Sequence, residues 1–558
     1  MSAIHQVLLA GGGGYQIANS LRFRASNSAY LSWTTGSAAS DRKYATVSIW
    51  LKRGALTGRN AIYAVNPAGA SGASNQITMI FDNAGSNGDN ITYNNGSVNR
   101  TTTSVYRDPS AHLHFHQVFD TTQATAADRV KTAINGVILT DINIGQDFSL
   151  NSNTPFGQAS ITEYIGRRDS GLYFDGLMAE IIILVGQALP ASSFGQTDAT
   201  TGVWVPKAYS GTFGSLDRYY KFADASAATA AAIGKDSSGN GLNATPSGIS
   251  VTAGTTFDQM TDTPTNNYST FDAISPIGSA SSIGTLASAS LTFDHSAANY
   301  AQRFGSFAVA SGKWYFEYTI TTFSSGRSCA FGIGKTADYP SGAGAAGSWT
   351  GCVGYGDFGD TYLRPITEAA GVSNTSGVAS MTFAVNDVLM IAFDVDAGKF
   401  WMGKNGTWFD SGNPAAGTNQ KQTFTTGINW RPWCVQYGSS AAQSVANFGQ
   451  RAFSYTPPSG FKSLSTANIT STAVSTSGSF TGNAAADGPF VWTNGNPATL
   501  TINGNPVTFG THADKTAGGF KLRSSSASYN ASGSNSWTAT AGKRFVQVKK
   551  PNNAQVNP

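Results

Sequence analysis

Three groups of side chains in this sequence have types and spacings that chemistry could use. The first is acidic. Hydrolysis of a glycosidic bond needs two carboxylates roughly 5–10 Å apart, and the nearest pairs are Asp175 with Glu180 and Asp394 with Asp396. On an unbroken strand, Asp175 and Glu180 point to opposite faces. Asp394 and Asp396 bracket a turn, where Asp is an ordinary turn former. Neither pair is expected to be catalytic, and no Cys-x-x-Cys, His-Glu-x-x-His or Gly-x-Ser-x-Gly pattern occurs. The chain is therefore read as a non-enzyme. The second group is His112, His114 and His116 in Ala-His-Leu-His-Phe-His-Gln. A strand places all three on one face, about 7 Å apart at Cα, a spacing from which Zn²⁺ or Ni²⁺ could be held; a row of partly exposed histidines is the plainer expectation. The third is the Asp236-Ser237-Ser238-Gly239-Asn240-Gly241 loop. Its carboxylate, amide and carbonyl oxygens suit Ca²⁺, with Asp236 and Asn240 as the candidate ligands. The alternative is a glycine-rich turn held by Asx hydrogen bonds. This loop alone cannot supply seven ligands, and no other cofactor is expected.

The elements that must position these groups follow from composition. The 558 residues include 63 glycines, and only 12% are charged. That mixture favours short strands and tight turns over long helices. An aromatic share of 11% supplies side chains for several cores. A net charge of +4 without a dense Lys/Arg cluster argues against nucleic acid as a partner. No stretch reaches the roughly 18 apolar residues of a membrane helix, and Met1 to Ala10 lacks the basic start of a signal peptide. Cys329, Cys352 and Cys434 are too few and too unevenly placed for a disulfide framework. They read as small core residues of a protein made in a reducing cytoplasm.

Along the chain, residues 1–15 read as an arm ending in Gly11 to Gly14, which does not lead from a strand into a helix and so is no phosphate loop. From 16 to 196 the pattern alternates. Val47, Ile49 and Leu51 share one face, and Asn135-Gly136 between apolar runs predicts a hairpin. Residues 197–285 form a connector in which Ala223 to Ile233 is the best helix candidate. Residues 286–466 form a second β module. Residues 467–558 form a small β-rich domain with a hairpin at Asn503-Gly504 and a loose Pro551 to Pro558 tail.

The succession Ser20-Leu21-Arg22-Phe23, Val47 to Lys52, Asn135-Gly136, Tyr164-Ile165-Gly166 and Phe174-Asp175-Gly176 resembles laminin-G-like, concanavalin-type jelly rolls over about 180 residues. In that family an Asp-Ser-x-Gly-Asn element is frequent. The second module resembles a SPRY (B30.2-like) domain. The residues that carry this are Gly312-Lys313-Trp314-Tyr315-Phe316-Glu317, Phe331-Gly332-Ile333-Gly334, Gly398 to Gly406 and Asn447-Phe448-Gly449. Asn386-Asp387 departs from the family's usual Gly-Asp turn. The stretch from Trp204 through Asp236 to Gly241 and on to Met260-Thr261-Asp262-Thr263-Pro264-Thr265-Asn266-Asn267 resembles a connector of tailed-bacteriophage structural proteins.

These resemblances imply an all-β fold of tandem concanavalin-like two-sheet jelly-roll sandwiches with an irregular connector and a small C-terminal β domain. They also imply a virion protein, either a tail fibre or a tail-associated adhesin, whose partners are other virion proteins and a host-surface polysaccharide or protein. A homo-oligomer, as in a trimeric fibre, is the implied state. SPRY domains read partners through loops on one edge, which here nominates Tyr339, Trp349, Tyr355 and Tyr362, since aromatic faces stack on sugars and give rigid contact area. The alternative is that two or more of these fill the core. Trp50, Trp314, Phe393, Trp401 and Phe448 are expected in the core. A head-decoration or tail-scaffold role is the alternative function. A polysaccharide depolymerase is disfavoured by the missing acid pair and by the lack of a repetitive β-helix pattern.

Overall fold

The computed structural model describes residues 14–54, 56, 58–66, 76–82, 89–168, 171–199, 202–273, 284–296, 300–323, 328–336, 349–373, 378, 381–437 and 442–469, and the backbones of the strands between 477 and 548. It is all-β and built from antiparallel sheets. Two sandwiches belong to one compact unit, residues 1–196 with 206–469, and the second unit comprises 197–205 and 470–558. Residues 1–13 of the amino-terminal arm (1–15), Tyr339 and the Pro551 to Pro558 tail lie outside the described residues.

In the first sandwich, sheet A has at its centre Leu113–Asp120, Tyr44–Arg53, Gly176–Val185 and Ser20–Phe23, in that order. Sheet B runs Thr245–Ser247, Tyr30–Thr34, Thr162–Ile165, Asn60–Val65, Ile77–Asp82, Asn90–Asn94 and Asn99–Val105. Val47, Ile49 and Leu51 pack into the core between the sheets, as their shared parity requires, against Tyr63, Met79, Phe115 and Ile165. Asn135 and Gly136 take φ of 50° and 77°, with Ile134 opposite Val137. Two left-handed residues match the strand twist, so the predicted hairpin forms there.

The connector is more strand-bound than an irregular tether. Arg218–Tyr220 pairs with Gly176–Val185, Gln259–Met260 pairs with Ser20–Phe23, and Thr245–Ser247 forms the edge of sheet B. The expected helix at 223–233 is absent, and the segment is a run of bends and turns. Phe222 enters it at φ 55°, and Ile233 is fully buried in the first core. An isolated eleven-residue helix is marginal without an apolar stripe, and burying one anchor at Ile233 wins here.

In the second sandwich, sheet C orders Thr285–Ala287, Thr292–His295, Ala442–Asn447, Lys313–Phe323, Val388–Asp394, Lys399–Lys404 and Thr407–Trp408. Sheet D orders Tyr300–Phe304, Trp430–Tyr437, Ser328–Lys335, Cys352–Asp357, Arg364–Thr367 and Gly371–Val372. Phe316, Tyr318, Phe331, Phe393, Trp430 and Phe448 fill the space between them. Asn386 adopts φ 71°, a conformation Asn tolerates, so the change from Gly leaves the turn intact. All three cysteines are buried and unbonded.

The sandwiches are fused rather than strung together. Leu177 and Met260, on the outer face of sheet A, belong to the second core. The Asp175 carboxylate accepts the backbone N–H groups of Ser288 at 2.9 Å and Ala289 at 2.8 Å. Asp258 holds both Arg22 and Arg24 in a buried triad.

In the C-terminal unit, Ser477–Thr481, Ser534–Ala539, Leu500–Ile502 and Asn505–Pro506 form one sheet, and Phe520–Lys521, Phe490–Asn494 and Phe545–Val548 another. Asn503-Gly504 lies outside the described residues, and the strands on either side pair with Ile502 opposite Asn505.

Candidate functional site

The acidic pairs are absorbed by structure. Ala179 lies opposite Trp50 but Ile182 lies opposite Ser48, so the strand carries one extra residue at Glu180, whose φ is 50°. The bulge re-phases the strand. Met178 and then Ile181 enter the core, which leaves both Asp175 and Glu180 on the outer face of sheet A, against the parity expectation. They still serve different partners. Asp175 caps the backbone of the second sandwich, whereas Glu180 accepts the hydroxyls of Tyr219 and Tyr15. Burial raises the Glu180 carboxyl above its usual range. Asp394 accepts the Ala397 N–H within the turn it was expected to form, and Asp396 reaches from that turn to the N–H of Gly312 just before the neighbouring strand.

The histidines are not partly exposed. His112, His114 and His116 are buried on the outer face of sheet A. His114 stacks on Trp50 with centroids 4.8 Å apart and bonds to Ser48 Oγ at 2.8 Å. His116 Nε2 bonds to the Leu189 carbonyl at 3.0 Å, and its ring packs on Phe194. The cover is a small apolar cluster of Phe194, Tyr209, Phe213 and Tyr219 that strand parity could not reveal. Desolvation lowers all three, His116 to about 4, so they are neutral. Among the described residues no cluster of three metal-ligating side chains is found.

The Asp236 loop does not fit Ca²⁺. Asp236 Oδ1 accepts Tyr219 N and Ser238 N, and Oδ2 accepts Ser238 Oγ and Leu242 N. Asn240 directs its amide nitrogen, not its oxygen, at the carbonyls of Gly214 and Asp217. The expected ligands therefore meet in one loop, but as Asx clamps of the turn.

The loop aromatics divide. Tyr355 points into the second core, edge-on to Phe409, with 2% exposure. Parity forces this, because Val353, Tyr355 and Asp357 alternate with outward Gly354 and Gly356. Trp349 is equally buried, yet on the outer face of sheet D. There it is a floor. Tyr300 meets it edge-on at 5.2 Å, Phe358 stacks on it at 5.9 Å, and Trp433 lies beneath at 5.7 Å. Tyr437 sits directly across the strand pair from Tyr300, with ring centroids 4.4 Å apart.

Tyr300, Phe358 and Tyr437 are all partly exposed. Phe358 folds over Gly356, where a Cβ would come 2.5 Å from its ring. Arg364 lies over Phe358 at 5.7 Å, bonds to Asp360 at 2.5 Å and is hydrogen bonded to partly exposed Tyr362. Burial raises the Tyr300 hydroxyl, which keeps it a neutral donor.

The arrangement is a strip of aromatic faces on a rigid sheet with a charged, hydrogen-bonding rim. Such a strip can stack on apolar ring faces and bond hydroxyls at its edge. It contains Trp349 and Tyr362 from the sequence reading and adds Tyr300, Phe358, Tyr437, Asp360 and Arg364. Trp433, Val435 and Tyr437 share one parity along their strand. That was the available signal. The pairing of Tyr300 with Tyr437 spans more than a hundred residues and left none.

No protein-family model matches the chain, and no curated protein matches it. Among solved structures it is similar to the SPRY domain of human HERC1, at 15% identity and TM-score 0.23, over 29% of this chain and 91% of that one. It is similar also to a candidate carbohydrate-binding protein of Bacteroides ovatus, at 16% identity and TM-score 0.30, over 42% of this chain and 58% of that one. A third is a native heptameric SAP-like pentraxin from Limulus polyphemus, at 13% identity and TM-score 0.23, over 32% and 80%.

Proposed function

We propose that this chain is a structural protein of a tailed-bacteriophage particle, a tail fibre or tail-associated adhesin, that binds a host-surface carbohydrate through the outer face of sheet D. The observation that carries the binding reading is the strip Tyr437–Tyr300–Trp349–Phe358 with Arg364 and Asp360 at its rim. Large aromatic surface is usually spent in cores, and here three rings are left partly exposed beside a charged pair. Sugar rings would stack on Tyr300, Tyr437 and Phe358, while hydroxyls bond to Arg364, Asp360 and Tyr362. Each such contact is weak, and a homo-oligomer on a particle multiplies it by avidity. The virion setting rests on the connector resemblance. No chemistry is required of the site.

The test is adsorption of labelled full-length protein to host cells, with and without competing surface polysaccharide. Saturable binding that the polysaccharide abolishes, and that Tyr437→Ala weakens, is the expected result. No saturable binding at micromolar concentration, with particles that fall apart when the chain is missing, makes it a head-decoration or tail-scaffold protein instead. New reducing ends would make it a depolymerase.

A further inference from the structure

Where the connector crosses the outer face of sheet A, it buries a lysine against an amide. Lys52 follows Ser48 and Trp50 on that face, and only 2% of it is exposed. Its Nζ donates to Asn267 Oδ1 at 2.7 Å, to Asp262 Oδ2 at 2.9 Å and to the Tyr268 carbonyl at 2.8 Å. Asp262 and Asn267 are fully buried. The amide is held at both ends. Asn267 Nδ2 donates to the Ser110 carbonyl at 2.7 Å, and the Asn267 backbone exchanges hydrogen bonds with Thr466. His112 hydrogen bonds the Asn267 side chain, and its Nδ1 lies 3.8 Å from Asp262 Oδ1.

A buried ammonium–carboxylate pair is costly, and it can relieve that cost by passing its proton to become an amine and a carboxylic acid. Burial works toward this transfer from both sides, lowering Lys52 and raising Asp262. The product is a neutral amine fixed beside a polarised amide carbonyl, with an acid next to both. This is the constellation for acyl transfer: a nucleophile, an electrophile held in place and a proton carrier.

We propose that Lys52 and Asn267 form an intramolecular isopeptide bond. Lys52 Nζ attacks Asn267 Cγ, and as the Nζ–Cγ bond forms the Asp262 acid gives the proton it received to Nδ2 and, now a carboxylate, takes the next one from Nζ. The Cγ–Nδ2 bond then breaks. Ammonia leaves with its own two protons and one from Nζ, and the surplus ammonium proton departs with it or rests on Asp262. No oxidant, metal or cofactor takes part. The bond ties the Tyr44–Arg53 strand of the first sandwich to the segment leading into the second, which locks the junction against pulling.

The experiment is intact-mass measurement and tryptic mapping of the denatured full-length chain. The expected mass is one ammonia below that of the sequence, with cleavage after Lys52 blocked and a branched peptide joining Tyr44–Arg53 to the peptide containing Asn267. Lys52→Met, Asn267→Ala and Asp262→Asn should each restore the full mass. The wild-type measurement stands even if a variant does not fold. A wild-type mass equal to the sequence overturns the proposal, as does a loss of water with the branch at Asp262.

Discussion

The outer faces of sheets A and D begin from the same pattern and end differently. Both carry aromatic and polar side chains that alternate with core residues. On sheet A, Ser48, Trp50, Lys52, His114 and His116 are all buried, because Phe194, Tyr209, Phe213 and Tyr219 cover one end and the 258–271 segment covers the other. On sheet D the floor of Trp349 and Trp433 is buried, but Tyr300, Phe358 and Tyr437 remain partly in solvent. An outward aromatic therefore has two fates, and the cover decides which. A covered face contributes stability, whereas the rings left in solvent on sheet D are the ones proposed to bind carbohydrate.

The comparison can be broken at several points. The largest effect is expected at Trp50→Ala, which removes the ring under His114 and should cost about 3–5 kcal/mol of stability by calorimetry, with any lost adsorption tracking unfolding. An equally stable variant would mean that the face is not truly covered.

Next comes pH. The folded His116 sits at about 4, below the 6.5 of an exposed histidine, so the unfolded chain binds the proton more readily. Its contribution is whole above about 6.5 and is lost as pH falls toward about 4, on the order of 3 kcal/mol across that window. Denaturant midpoints taken between those limits should fall accordingly, and His116→Gln should flatten that part of the curve. On sheet D, Tyr437→Ala should leave stability within about 1.5 kcal/mol yet weaken cell adsorption roughly tenfold. Equal losses in both readouts would make Tyr437 a core residue. The smallest effect is expected from Arg364→Lys, which keeps the charge but loses the planar fork toward Asp360, and should weaken adsorption only about two- to threefold with no change in melting temperature.

Much of the fold was legible. The Val47–Ile49–Leu51 face and the Asn135-Gly136 hairpin follow from two-residue alternation and turn chemistry, which are local, and the all-β sandwich architecture from the motif resemblances. The site was legible only in part. Trp349 and Tyr362 carry a signal as loop aromatics, but Tyr355 carried the same signal and faces inward. The helix expected at 223–233 failed because local propensity there is weaker than one buried anchor. Parity misassigned Glu180 because a bulge adds a residue that no composition announces.

The sequence by itself determined that this chain is all-β, which residues of an unbroken strand share a face, and that its thiols and most of its aromatics are core material. These are consequences of side-chain type and spacing along one strand. Only the tertiary structure decided which outward faces are covered, that Tyr300 meets Tyr437, and that Lys52, Asp262 and Asn267 converge. Those outcomes depend on segments far apart in the chain. Desolvation, which lowers Lys52, His112, His114 and His116 and raises Asp262 and Glu180, exists only once those segments have closed over them.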